Sequence, residues 1–449
     1  MNPATGLAAA NQVADFSRDT WWIWVIKAVF IIVFLIFSVI FALWFERRLV
    51  AKMQNRLGPN TVGPLGLLQS FPDAIKLLFK EDFNLKGADR FVYLTAPAIS
   101  ALCSFTLMAV IPMGPQVSVF GIRTPLQLTD TPVSMLFILA VAALGEYGLV
   151  LGGWSARSTL PLYGSVRSAT QMISYELAQG LSLVTVFILS RTMATSGIVS
   201  SQAELWNVLL LLPAFLVYLV TMFGESNRLP FDLPEAEGEI VAGAHTEYSS
   251  MKFGWYYLSE YVNMLNLSMV ATTLFFGGWR AGPVLTWIYS LWGGDPNTGW
   301  IPMLWFVLKM WTFMGVFVWA RGTLLRFRYD QFMRLGWRGL IPAALIWLAI
   351  VMTVIGIDMV FPLNVHSVLI ILSLGYSAIL LIWALGDDTV KPSQADLIRM
   401  RGEEEFTGFE YGYPVPPLPG QHLPPSKRET VRGSAADISV TEELETKNV

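Results

Sequence analysis

Nine runs of about twenty largely apolar residues divide this chain, each long enough to cross the roughly 30 Å of hydrocarbon in a bilayer. They are Trp21–Phe45, Phe91–Ile111, Val133–Leu151, Ala169–Leu189, Leu205–Phe223, Tyr261–Trp279, Pro302–Trp319, Leu340–Val360 and Val365–Leu385. Lipid offers no water to backbone N–H and C=O groups, and a helix satisfies them all within one segment. The runs therefore specify an all-α polytopic membrane protein with about nine transmembrane helices. Composition agrees, since 54% of the residues are hydrophobic and only 14% charged. Residues 1–20 lack the basic start and short apolar core of a signal peptide, so the first run is expected to remain as an anchor.

The polar connections alternate in charge. Lys and Arg number eight in residues 46–90, two in 152–168, two in 224–253 and five in 320–338, against one each in 1–20, 113–131, 190–204 and 280–300. Basic residues stay on the cytoplasmic side. The N-terminal segment 1–20 is thus expected outside, in the periplasm of a bacterial cell, with the chain in the plasma membrane and its C-terminus cytoplasmic. Leu67, Leu68, Phe71, Ile75 and Leu78 repeat at helical spacing and predict an interfacial helix, with Asp73, Lys76 and Lys80 on its other face. Asp73 and Lys76 fit a surface ion pair there. Lys27 and Lys309 sit nearer span ends, where snorkelling to the interface accounts for them.

The most informative connection is Gly224–Tyr261, which carries Glu225, Asp232, Glu235, Glu237, Glu239, Glu247 and Glu260 with only Arg228, Lys252 and His245 as positive partners. So many carboxylates beside a bilayer are costly to keep ionised, and some are expected to share protons. Asp232-Leu-Pro-Glu235 fits a capping box, with Asp232 as N-cap and Glu235 reaching back. That would account for Glu235 but not for Glu237 or Glu239. Glu146 and Glu176 lie inside apolar runs, where such residues usually face the bundle interior or water.

Several chemistries are excluded. One cysteine, Cys103, cannot build a disulfide framework or an iron–sulfur site in this chain. The three histidines lie in separate regions and give no paired haem ligands, and His245 reads as a hydrogen-bonding loop residue or, less simply, a proton relay. No phosphate loop or dinucleotide fingerprint occurs, so no nucleotide site is expected in this chain. No metal site or nucleic-acid partner is expected.

The stretch E-S-N-R-L-P-F-D-L-P-E-A-E-G-E at Glu225–Glu239, with E-Y at Glu247 and S-E-Y at Ser259, resembles the signature loop of the quinone-contacting membrane subunits of proton-pumping NADH-quinone oxidoreductase, respiratory complex I. E-R-R-L-V-A-K-M-Q-N-R-L-G-P-N at Glu46–Asn60 and R-F-R-Y-D-Q at Arg326–Gln331 extend the likeness across residues 20–360. The resemblance implies an eight-helix core over 21–360 with cytoplasmic loops 46–90 and 224–260, leaving 361–388 as an added ninth helix and 389–449 as a Pro-rich cytoplasmic tail. It implies quinone as substrate, bound near Arg47, Asp73, Lys76, Arg228 and Phe231, with Glu46, Gln54 and Arg56 in the same motif, where Glu46 and Arg47 also read more simply as an ion pair that orients the loop. It also implies an acidic chain of Glu225, Glu235, Glu237, Glu239, Glu247 and Glu260 that continues into the membrane through Glu146 and Glu176. Flavin and iron–sulfur clusters would lie in partner subunits, one of which adjoins the quinone cavity. A related membrane subunit of a hydrogenase or formate-linked complex would use similar acids without quinone. A stand-alone ion transporter would commonly show an internal repeat, and none is found between the halves of this chain.

Overall fold

The computed structural model describes residues 14–83, 85–235, 237–282, 286, 289, 296–361 and 364–386. Segment 1–13 and the Pro-rich tail 389–449 lie outside the described residues. The chain divides into two units, Met1–Leu380 and Leu381–Val449. The second is described only for the last residues of a helix.

Ten helices carry the architecture: α1 (Trp21–Met53), α2 (Ser70–Phe79), α3 (Arg90–Leu107), α4 (Ser134–Ser155), α5 (Thr159–Ser190), α6 (Leu212–Glu225), α7 (Ser250–Phe275), α8 (Ile301–Thr323), α9 (Ile341–Val360) and α10 (Val365–Gly386). Among the described residues, seven helical segments are long and apolar enough to cross a membrane. The other two apolar runs are helical but depart from simple spans. Leu205–Phe223 breaks at Leu211 (φ −124°, ψ 40°) into the single turn Asn207–Leu210 and α6. Pro213, in the first turn of α6, has no N–H to continue the earlier turn. Side-chain amides close the gap: Asn207 Nδ2 donates to Leu274 O at 2.9 Å, and Gln202 Oε1 accepts from the N–H groups of Asn207 and Gly277. The run Tyr261–Trp279 belongs to a longer helix, because α7 begins at Ser250 and carries Glu260, Asn263 and Asn266.

α1 and α5 also overrun their apolar stretches. α1 has 33 residues, about 50 Å at about 1.5 Å per residue, so its last turns, with Glu46 and Arg47, stand clear of the hydrocarbon. The amphipathic helix expected over this stretch is present as α2. Its apolar residues Phe71, Ile75 and Leu78 are exposed in the isolated chain, while Ser70 and Ser250 hydroxyls bond to Ile40 O and Leu77 O and hold it to α1 and α7. The turn before it needs Gly66, at φ +74°, where a Cβ would lie 2.3 Å from Pro59 O. One small antiparallel hairpin, Gln116–Val119 with Ile122–Pro125, is an addition to the all-helical expectation. It is too short to register among the apolar runs.

The core gathers on α7, whose residues from Met264 to Phe275 are all buried and which packs against α1, α3, α6 and α8. At the far end of α7, Lys309 donates to three carbonyls, Phe276 O (2.6 Å), Gly278 O (3.0 Å) and Arg280 O (2.6 Å), with the Trp206 ring 4.7 Å away. Snorkelling is therefore the wrong account of Lys309, because the carbonyls freed where α7 ends take its charge. Lys27 is held by Asp19 at 2.6 Å.

Gly152 on α4 is required by close approach, since a Cβ there would stand 2.2 Å from Tyr256 Oη and 3.0 Å from Tyr248 Oη. Gly152→Ala should lower the apparent unfolding temperature and the yield of the assembled protein. Gly356→Ala on α9, where a Cβ meets nothing within 4 Å, should be neutral or stabilising by up to about 1 kcal/mol. Thermal denaturation of the two variants side by side tests the contrast.

Candidate functional site

The last turns of α1 meet the end of α8 around a cavity of about 650 Å³, lined by Glu46, Arg47, Gln54, Arg56, Leu229 and Arg321 among others. That size suits a small-molecule ligand. Glu46 is only 5% exposed. It pairs with Arg321 and accepts a hydrogen bond from Tyr261 Oη at 2.5 Å. Its expected pairing with Arg47 is thus wrong: one step along the helix points the neighbours apart, and Arg47 instead forms an ion pair with Asp73. Asp73, which also accepts from Gln69 Nε2 at 3.3 Å, is therefore not paired with Lys76, whose side chain is exposed. Phe231 does not reach the cavity. It is buried against Phe332, Phe327 and Tyr175, with ring centroids 4.9, 5.3 and 5.7 Å away.

The acidic loop folds back over α5. Gln171 Nε2 donates to Gly224 O (2.6 Å) and Phe231 O (3.1 Å), and the Phe327 N–H donates to Pro230 O, so the Arg326–Gln331 motif meets the loop. Arg228 stacks over Tyr261, 4.2 Å from its ring centroid, and lies 3.2 Å from Glu260. That distance is an ion-pair contact without hydrogen-bond alignment, and Arg228 Nε and Nη2 have no hydrogen-bond partner among the described residues. Glu260 is therefore paired, contrary to the sequence, where no cation lies within a helical turn. His245 Nε2 approaches Glu260 at 3.4 Å and Glu235 at 3.9 Å.

Asp232, Glu235 and His245 hold their protons more tightly than usual. Burial and the neighbouring Glu260 push Asp232 up to about 6 and Glu235 up to about 7. Burial disfavours His245's charge, but Glu260, Glu235 and Asp232 outweigh it and raise its pKa. Glu235, His245 and Glu260 offer donor atoms within 4.8 Å of one another, a spacing that could hold a metal ion. Arg228 already supplies positive charge at Glu260, so proton sharing suits this donor set better.

Other acids of the loop stand apart. Glu239 is bound by Arg167 at 2.6 Å, with Arg326 at 3.9 Å, and the Arg167 hydrogen bond lowers its pKa. Glu247 lies beside Tyr93, whose hydroxyl donates to its carbonyl at 2.6 Å. Glu237 begins the short helix Glu237–Ile240, and its side chain lies outside the described residues. The capping box is half formed, with Asp232 accepting from the Glu235 N–H but no helix starting there.

On the membrane side two cavities of about 20 Å³ each follow one another, each large enough for one water. The first is lined by Asn227, His245 and Glu260, the second by Gln179 and Asn266, and both by Glu146, Glu225 and Asn263. Asn227 and Gln179 side chains donate to Glu146 and Glu225. Glu176 departs from the expected interior position. It is half-buried and lines an apolar surface groove of about 440 Å³ with Ile173, Leu177 and Val184, since Met172, Tyr175 and Gln179 occupy the inward face of α5. Sequence reasoning missed Arg321, Tyr261, Asn227 and Gln179. Asn227 and Tyr261 stand inside the signature motifs and were legible as polar neighbours of the acids, whereas Arg321 reads only as one more basic residue.

A carboxyl whose pKa rises on folding binds its proton more tightly in the native state, so stability falls as pH rises between its ordinary value of 4.5 and about 7. The raised Asp232 and His245 act with the same sign. The apparent unfolding temperature should therefore drop from pH 5 to pH 8, and Glu235→Gln should flatten that drop. An unchanged slope in the variant would show that Glu235 does not titrate in this window.

The model of the NADH dehydrogenase family matches residues 26–352. The NADH-quinone oxidoreductase subunit designated H in Streptomyces avermitilis is 47% identical over 431 residues, which cover 95% of this chain and 94% of that one. With the Glu46–Asp82 and Glu225–Tyr261 segments both inside the matched span, the chain belongs to the NADH dehydrogenase family.

Proposed function

We propose that this chain is the quinone-site membrane subunit of a proton-pumping NADH-quinone oxidoreductase and couples quinone reduction to proton translocation. The identity of its relative supports the complex. The observation that carries the coupling is a chain of contacts from the 650 Å³ cavity, through Glu46, Tyr261 and Arg228, to Glu260 and His245 and on to the cavities shared by Glu225 and Glu146. Arg47 with Asp73, and Arg321 with Glu46, set alternating charges on the cavity wall that would orient a quinone's two carbonyl oxygens. Electrons arrive from an iron–sulfur cluster in a docked partner, with flavin further away in the same complex.

Reduction of quinone to quinol takes two electrons and two protons. Withdrawing protons from the cavity leaves uncompensated negative charge near Glu46, and Arg228 carries that change to Glu260. The acids with raised pKa values then re-equilibrate, and Glu225 and Glu146 extend the response into the membrane. Glu176 would pass it across the apolar groove to a neighbouring membrane subunit. Glu235 belongs to the proton-sharing cluster, whereas Glu239 and Glu247 hold the loop in place, and Lys76 on α2 would meet the quinone as it enters.

The chain lies in the bacterial plasma membrane with its N-terminus outside and its C-terminus cytoplasmic, as the basic loops require. Phe120 in the hairpin turn and Leu325 after α8 are both more than 80% exposed. A cysteine at Phe120 should react with an impermeant reagent added outside intact cells, and one at Leu325 should not. The reverse pattern would invert the topology.

Glutamine keeps the shape and hydrogen bonding of glutamate but exchanges no proton. Glu225→Gln should assemble normally yet lose most NADH-quinone reductase activity and proton pumping together, by about tenfold or more, with Glu225→Asp restoring part of both. Fully coupled turnover by an assembled Glu225→Gln complex would falsify the relay.

A further inference from the structure

The loop carboxylates and the intramembrane pair meet at one side chain. His245 is 4% exposed and ends the short turn Gly243–His245. Two glycines fix its place: a Cβ on Gly243 would stand 1.7 Å from Pro234 O, and one on Gly164 would stand 2.4 Å from the Ala244 N. The ring is flanked by Tyr256 and Phe253, at centroid distances of 5.1 and 5.9 Å.

Its two nitrogens have different surroundings. Nε2 faces Glu260 and Glu235. Nδ1 is enclosed and has no hydrogen-bond partner among the described residues. The ring also lines the first 20 Å³ cavity, with Glu146, Glu225, Asn227 and Asn263. A histidine serving only as counter-ion to Glu235 and Glu260 needs Nε2 alone, and burying a second ring nitrogen with nothing to bond would be unfavourable. A water in the cavity, which has room for one, would satisfy it.

We propose that His245 is a further proton-carrying residue, passing protons between the loop carboxylate Glu235 and the intramembrane carboxylates Glu225 and Glu146. The inference rests on the relay reading of this site. A neutral imidazole bearing hydrogen on Nδ1 takes a proton at Nε2 from the carboxyl of Glu235, which becomes a carboxylate, while Glu260 stays paired with Arg228. The imidazolium releases the Nδ1 hydrogen to the cavity water, and that water protonates Glu225 or Glu146. The ring then carries its hydrogen on Nε2, and tautomerisation to the Nδ1–H form readies it for the next proton. One proton enters and one leaves at each passage. The groups that set the ring's charge are Glu235, Glu260, Asp232 and Arg228 on the loop side, and Glu225 and Glu146 on the other.

The test uses the assembled complex in native membranes, with NADH-quinone reductase activity and proton pumping read together. His245→Gln should lower both by about tenfold or more. His245→Ala should do the same and recover part of both with millimolar imidazole, whose two nitrogens can relay a proton. 1-Methylimidazole, with one nitrogen blocked, should restore neither. Full activity in His245→Gln, or equal rescue by both compounds, would overturn the proposal and leave His245 a positioning residue for Glu260. Glu225→Gln measured in parallel separates the two claims. A defect there beside a normal His245→Gln removes only the histidine step, whereas normal behaviour of both removes the relay itself.

Discussion

A carboxylate taken out of water must be neutralised, by a fixed cation or by a proton, and which of the two each acid receives organises this protein. Glu46 receives Arg321, and Glu260 receives Arg228. Glu225 and Glu146 are reached by the amides of Gln179 and Asn227. An amide satisfies a lone pair but brings no charge. Asp232 and Glu235 lie between the two cases, sharing the field of Arg228 and His245 with Glu260. The acids therefore form a graded series, from Glu46 and Glu260, each beside an arginine, to Glu225 and Glu146, which meet amides.

Two adjacent residues of α7 join these regimes. Glu260 and Tyr261 are about 100° apart around the helix axis. Glu260 faces His245 and Arg228, while Tyr261 reaches Glu46 on α1 and offers its ring to Arg228. A single helical step thus connects the wall of the large cavity with the acidic cluster, and Arg228 touches both residues.

The nine apolar runs located every long helix in advance because the hydrocarbon imposes their length and composition. Their ends were less legible. α1, α5 and α7 continue beyond the apolar part, since a helix need not stop where the lipid does, and the polar turns so added hold Glu46, Arg167 and Glu260. The break at Leu211 left no mark in a uniformly apolar stretch apart from Pro213. Pairings were the weakest part of the reading. Neighbours such as Glu46 and Arg47, or Asp73 and Lys76, suggest partners by proximity in the chain, but folding gave Glu46 to Arg321 and Asp73 to Arg47. Glu176 could have been placed from periodicity, because Ile173, Leu177 and Val184 share its face of α5 and mark it as outward.

The cage of carbonyls around Lys309 has a mechanical consequence. Phe276 O, Gly278 O and Arg280 O all converge on one ammonium group, while Gln202 and Asn207 grip the same end of α7 through Thr273 O, Leu274 O and the Gly277 N–H. The helix is clamped there, and at its other end Ser250 bonds to Leu77 O and Tyr256 to Gly148 O. A rod held at both ends moves least at its supports and most between them. α7 is in this sense a beam between two anchors, with Glu260 and Tyr261 in the span that can bow.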